Sequence, residues 1–205
     1  MMKESTEFYT CLIKNRLSGE RFKHSIKTAE MCRELAEKHG YDPKKAYLAG
    51  ILHDICKEES EKELKRLIFS EPLYQSPMKL GIGDSAVCGL DPLEKEIPKL
   101  WHAPAGAVYV REKLEVDDTE LISAIRFHTV GRENMSKLEK ILYLGDLVER
   151  SRDYPEVEKY REYALLDLNH GMYEALKWTI NDCLQRKKQI SLYTYEAYNY
   201  YLKKG

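Results

Sequence analysis

The chain has 205 residues, 43% of them hydrophobic, enough to bury a substantial core in one large domain or two small ones. Lysine plus arginine (33) and aspartate plus glutamate (34) nearly cancel, so no basic excess points to nucleic acid. No apolar stretch has membrane-spanning length, the start MMKESTEFYT lacks a signal-peptide core, and five scattered cysteines without a CxxC pair fit a reducing cytoplasm better than a disulfide framework.

Helical periodicity dominates and no alternating strand pattern persists, so the expected fold is all-α, a compact single-domain bundle over 1–205. A short amphipathic helix is expected over 7–17. A longer one runs from Glu20 to Lys38, with Phe22, Ile26, Ala29, Cys32 and Ala36 at helical spacing and Gly40 as its C-terminal cap. Asp42-Pro43 reads as an N-cap followed by proline at the first helical position, opening a helix through Ala46, Ala49, Gly50 and His53. Residues 70–99 carry four of the seven prolines and read as a long irregular, lid-like loop. Further helices are expected over 104–114 and 118–128. Ser136 with Glu139 forms a capping box that opens another through Leu138, Ile141, Leu142 and Gly145. Residues 156–186 read as two helices meeting near Asn169-His170-Gly171, and a last helix covers about 193–202.

The polar residues inside these apolar patterns are the candidates for chemistry. LHDICK, at 52–57, puts His53, Asp54 and Lys57 into a segment that otherwise reads as a packed helix. An unpaired buried carboxylate is costly, which makes the His-Asp pair hard to explain as packing alone. Imidazole and carboxylate together suit zinc, iron, manganese and related ions. The bland alternative is that His24 and His53 are core histidines satisfied by carbonyls. Asp146, between Leu142 and Leu147 in an apolar run, either sits partly buried or forms a surface ion pair with Arg150 at i+4. His102 and His128 flank helix ends and read as caps, turns or site residues. His39 and His170, each preceding a glycine, read as helix-terminal.

The order His24, His53-Asp54, Asp146 resembles the histidine–aspartate (HD) domain superfamily of metal-dependent phosphohydrolases. The stretches RFKHSIKTAEMCRELAEKHGYDPKKAYLAGILHDICKE, LWHAPAGAVYV and AIRFHTVGRENMSKLEKILYLGDLVERSR are similar to the bacterial HD-domain symmetrical diadenosine tetraphosphate hydrolases, the YqeK family, from about Arg21 to Thr194. That resemblance implies an HD-type helical bundle. It implies His24, His53, Asp54 and Asp146 as metal ligands and iron as the metal, with one ion favoured and two allowed. It also implies substrate contacts from Lys57, His102, His128, Arg152 and the run Gln189, Ile190, Ser191, Leu192, Tyr193, Thr194; Arg21, Thr129 and Arg132 are further candidate substrate contacts. His102 and His128 are alternatively ligands of a second metal. The chain departs from the family where Gly145-Asp146 and Glu149-Arg150 stand in place of an Ala-Asp pair and Glu-Pro, and in the longer segment before His102.

The implied reaction is hydrolysis of diadenosine tetraphosphate at its central bridge to two ADP, by metal-activated water. Asp54 would orient the water, and Lys57, one helical turn after His53, would stabilise phosphoryl charge from the same side. His102 and His128, if protonated, would add cationic charge near the leaving phosphate. Arg132 and Arg152 are candidate phosphate forks, or parts of a solvated face. Among the 15 tyrosines, Tyr195, Tyr198 and Tyr201 read as docking the last helix, and Tyr193 as the better nucleotide contact. The alternatives are a nucleotidase or phosphodiesterase on other nucleotides, and a nucleotide-binding regulator with weak turnover. The expected partner is a nucleotide, with no nucleic acid and no membrane; a homodimer is left open.

Overall fold

The computed structural model describes residues 5–70 and 89–204. Among them it contains helices and turns only, in keeping with the all-α expectation. In chain order the helices are α1 (Thr6–Arg16), α2 (Gly19–Lys38), α3 (Pro43–Leu52), α4 (Glu61–Ser70), α5 (Pro92–Glu96), α6 (His102–Glu112), α7 (Thr119–Phe127), α8 (Lys137–Val148), α9 (Val157–Leu166), α10 (Leu168–Gln185) and α11 (Leu192–Leu202). A 3-10 turn, Pro98–Leu100, leads into α6.

The caps follow from the sequence. Asp42 accepts from the amides of Lys44 and Lys45 ahead of Pro43, closing the free N–H groups at the start of α3. Ser136 and Glu139 bond each other's backbone at the start of α8, and Gly40 takes the left-handed conformation (φ +62°) beyond the end of α2. Several boundaries differ from the sequence reading. The α9–α10 junction falls at Asp167, which caps α10 through the amides of Asn169 and His170, so His170 lies in the first turn and its ring packs on Tyr163. Of the expected loop at 70–99, residues 71–88 lie outside the described residues. The remainder is not irregular: Asp91 and Glu94 form a capping box around Pro92 and so start α5, and Glu94 pairs with Arg126 at 2.7 Å in a fully buried contact. The amphipathic α4 has no counterpart among the expected helices.

One cluster of buried apolar residues runs through the molecule from Tyr9 to Tyr201. Helix α2 lies at its centre, packed mainly on α3 and α8. Both contacts depend on small residues. A Cβ on Gly50 of α3 would lie 2.4 Å from Cα of Ala29, and one on Gly145 of α8 would lie 2.5 Å from Sγ of Cys32. Helix α3 therefore meets the backbone of α2 directly at Gly50, and α8 packs at Gly145 on the small thiol side chain of Cys32.

Gly50→Ala tests this packing. In a solvated helix the change gains about 1 kcal/mol from propensity. Here the added methyl meets backbone, which cannot swing aside, and overpacking of this kind costs roughly 1–3 kcal/mol or more. The expected result is a lower Tm in thermal denaturation; a Tm at or above wild type would show that α2 and α3 can move apart freely.

Candidate metal centre

Five segments deliver the polar cluster. His24 projects from the second turn of α2, and Asp146 from near the end of α8. His53 and Asp54 follow the last residue of α3, His102 opens α6, and His128 follows α7. The segment LHDICK is not one continuous helix as expected. Helix α3 stops at Leu52, and bonds from Ile55 N to Leu52 O and from Lys57 N to Asp54 O carry the chain through tight turns.

Every one of the four imidazoles has Nδ1 tied to a fixed acceptor. His53 reaches Gly50 O at 2.7 Å, His102 reaches Lys99 O at 2.9 Å and His128 reaches Ile125 O at 2.8 Å, each a carbonyl three residues earlier. His24 Nδ1 lies 3.2 Å from Oε1 of Glu149. A proton on Nδ1 leaves Nε2 of His53, His102 and His128 a lone pair, the arrangement that metal-binding histidines use, whereas His24 faces a carboxylate from each ring nitrogen. The rings meet edge to face, with centroids 5.3 Å apart for His24 and His53, 5.0 Å for His53 and His128, and 5.2 Å for His102 and His128.

Asp54, only 2% exposed, lies where the lone pairs converge. Its Oδ2 is 3.4 Å from His53 Nε2, 3.9 Å from His24 Nε2 and 2.9 Å from the Arg21 guanidinium. Its Oδ1 faces the other way, 3.4 Å from His102 Nε2, 3.6 Å from His128 Nε2 and 3.9 Å from Lys57 Nζ. Asp146 Oδ1 is 3.0 Å from His24 Nε2 and 3.9 Å from His53 Nε2. Two sets have ligand atoms within 4.8 Å of one another, His24, His53 and Asp146, and His53, Asp54 and His128. Nε2 of His24, Nε2 of His53 and Oδ1 of Asp54 are buried with no hydrogen-bond partner. Buried polar atoms are rarely left so. A cation among His24, His53 and Asp146 would take up the two imidazole nitrogens, while Oδ1 of Asp54 opens on the side of His102 and His128; nitrogen and oxygen donors suit a transition metal.

The electrostatics agree. Burial alone would raise the carboxyl of Asp54, yet the surrounding imidazoles and Lys57 hold it well below the usual carboxylate range. Asp146 is likewise held down against its burial, by His24, His53 and Arg152. Burial would lower the His24 pKa, but Asp146 and Glu149 outweigh it and push it up to about 9. A metal at this site therefore competes with a proton. Burial, with Lys57 beside it, takes His102 down to about 3. His102 is thus a neutral imidazole at physiological pH and not the cation considered from the sequence. Positive charge comes instead from Arg21, Lys57 and Arg152.

The remaining candidate residues divide. Arg152 bonds Asp146 at 2.6 Å, so Asp146 pairs with Arg152 and not Arg150, which binds Glu34 on the surface. The Arg132 fork is not free for phosphate: Nε and one amino group grip Glu139 at 2.7 Å, and the other bonds Glu133 O. Thr129 keeps a buried hydroxyl without a partner. In the 189–194 run, the Ser191 hydroxyl donates to Asp91 and Thr194 to Val130 O, so both side chains are engaged within the fold. Gln189 and Leu192 are exposed and Ile190 partly so. The Tyr193 hydroxyl donates to Gly89 O, and its ring packs on Phe127. A groove of about 980 Å³ between α1, α2 and α3 shares no residue with the cluster.

Glu149 escaped the sequence reading. It is 1% exposed and is held by the Ser151 amide at 2.6 Å and the Ser151 hydroxyl at 2.7 Å while it faces His24. Its signal, a glutamate three residues past Asp146 and followed by Ser151-Arg152, looks like an ordinary charged helix end. Glu149→Gln should keep the fold and weaken metal affinity by about 10–100-fold, as loss of an orienting partner does. Metal content after dialysis against a graded chelator checks this; wild-type retention would remove Glu149 from the centre.

The HD domain family model matches residues 21–151, a span that contains His24, Asp54, His102, His128, Asp146 and Glu149. The chain is 40% identical over 188 residues to the symmetrical bis(5'-nucleosyl)-tetraphosphatase of Halalkalibacterium halodurans, covering 92% of each. It is 34% identical to the protein of the same name from Bacillus subtilis, again over 92% of each. Its fold matches the crystal structure of a predicted HD superfamily hydrolase from Clostridium acetobutylicum with a TM-score of 0.85 and 29% identity, covering 98% of this chain and 99% of that one. With its histidines and aspartates converging inside the matched span, the chain belongs to the HD domain family.

Proposed function

We propose that this protein is a metal-dependent phosphohydrolase that splits diadenosine tetraphosphate at its central bridge into two ADP, with iron as the metal and the cytoplasm as its setting. The observation that carries the reading is the convergence of four imidazole Nε2 atoms on the buried carboxylate of Asp54, in a chain 40% identical to a protein named for that reaction. The proposed ligands are His24, His53, Asp54 and Asp146. When bound, the ion supplies Lewis acidity toward a phosphoryl oxygen and lowers the pKa of water from ~15.7 toward neutrality.

The chain's own residues supply the rest. Asp54 stays ionised, and its unpartnered Oδ1 is the acceptor that orients an attacking water. Arg21, Lys57 and Arg152 surround the carboxylates and are the groups placed to hold the tetraphosphate. The leaving group is ADP, which departs as an anion, so charge neutralisation matters more than proton donation. A neutral His102 with its proton on Nδ1 cannot donate to phosphate from Nε2. His128 has the same tether and faces the same oxygen of Asp54. That tautomer favours a second cation on the Oδ1 side over direct phosphate contact. Lys57 Nζ, 3.0 Å from His102 Nε2, holds that position with its own charge.

Metal-loaded protein assayed on a nucleotide panel should convert diadenosine tetraphosphate to two ADP, and His53→Ala should lose both metal and turnover. Formation of ATP and AMP would overturn the bond assignment, and full metal content in His53→Ala would overturn the ligand assignment. A metal-to-protein ratio near two decides for the second cation, and near one against it.

Lys57→Met separates holding the metal from stabilising the transition state. The variant keeps most of the apolar stem, so the fold should persist. It should retain the ion among His24, His53 and Asp146 and bind ADP, while kcat falls about 10²-fold or more. Wild-type kcat would assign Lys57 to the rim alone.

A further inference from the structure

Beside the polar cluster lies a cavity of about 240 Å³ whose far wall, Tyr154 and Trp178, none of the assignments above uses. It is lined on the cluster side by His128, Asp146 and Arg152, and elsewhere by Tyr154 and Trp178. The indole of Trp178 and the ring of Tyr154 lie 4.6 Å apart, tilted by 33°. Tyr154 is anchored by its hydroxyl, which donates to Leu147 O at 3.2 Å, and Trp178 is backed by the Tyr160 ring at 6.4 Å. Both rings are only partly buried. The cavity also takes in Thr129, whose hydroxyl is buried with no partner.

This combination is unusual for a place beside a polyphosphate site. Arg152, two residues before Tyr154, contacts Asp146, so one short segment carries both a phosphate-binding charge and an aromatic face. The volume falls below the ~300–1,000 Å³ of pockets that enclose whole drug-sized ligands. It suits one planar ring system whose phosphates extend toward Arg152. Base-on-aromatic stacking tolerates any base and contributes through the ring face.

We propose that Trp178 and Tyr154 form the stacking platform for one of the two nucleobases of the substrate, with Arg152 joining this subsite to the phosphates. The inference rests on a nucleoside polyphosphate being the substrate, and it makes these two aromatics specificity residues rather than catalytic ones.

The test uses metal-loaded protein and two probes, ADP and inorganic pyrophosphate, which carries the phosphates without a base. Binding is measured by calorimetry for wild type, Trp178→Leu and Trp178→Phe, after melting curves establish that each variant is folded. Wild type should bind ADP at least about tenfold more tightly than pyrophosphate. Trp178→Leu should lose most of that margin with pyrophosphate binding unchanged, and Trp178→Phe, which keeps a ring, should recover most of it. In turnover, KM for diadenosine tetraphosphate should rise about tenfold in Trp178→Leu with kcat within about threefold of wild type. Unchanged ADP affinity, or equal loss for ADP and pyrophosphate, overturns the platform. Failure of wild type to hydrolyse diadenosine tetraphosphate while ADP still outbinds pyrophosphate through Trp178 overturns the substrate reading and leaves the platform standing.

Discussion

A charged carboxylate at the centre of a protein is tolerated only when its surroundings compensate it, and Asp54 imposes that condition on this fold. Its two oxygens face in different directions. One meets Arg21, His24 and His53, and the other meets His102, His128 and Lys57. To bring those six residues together, α2, α3, α6 and α7 must end or cross within a few ångströms of one point. The close approach of α2 to α3 at Gly50 and to α8 at Gly145 is the packing that makes this possible. Apolar burial holds the helices, but the carboxylate determines where their ends must meet.

The overall charge is −1, which gives no long-range attraction for a polyanion. Attraction is local. Arg21, Lys57 and Arg152 sit beside two carboxylates whose protons are held off chiefly by the imidazoles around them, with Lys57 and Arg152 adding to the effect. The cations stabilise the ionised acids, and the acids keep the cations in position. A polyphosphate entering the cluster would meet positive charge already aimed, so little reorganisation remains for the reaction itself.

Most helices were legible because their signals are local. Asp42-Pro43 and Ser136 with Glu139 specify starts through bonds spanning three residues, and Gly40 specifies an end. What the sequence could not show was long-range. Glu149 becomes part of the centre only because α8 lies against α2, which brings it to a histidine 125 residues away in the chain. Arg132 looked available as a phosphate fork because nothing in GREN announces that Glu139 will be buried beside it. The sequence leaves the protonation of His102 open for the same reason, since burial and the nearness of Lys57 are properties of the folded state. Helix α5 was hidden by two prolines that mark element starts as readily as loops.

The four histidines differ in what fixes their rings. His53, His102 and His128 lean on peptide carbonyls three positions back, groups that every residue type provides. No single codon change at Gly50, Lys99 or Ile125 removes those oxygens. His24 leans on a side chain, and one codon change at Glu149 removes it. Substitution at Lys99 therefore leaves the acceptor for His102 in place, Gly50 is constrained by its packing on Ala29 rather than by its carbonyl, and the support of His24 is exposed to selection in its own right. A lineage that retunes its metal affinity by point substitution outside the ligands has its most direct route at Glu149.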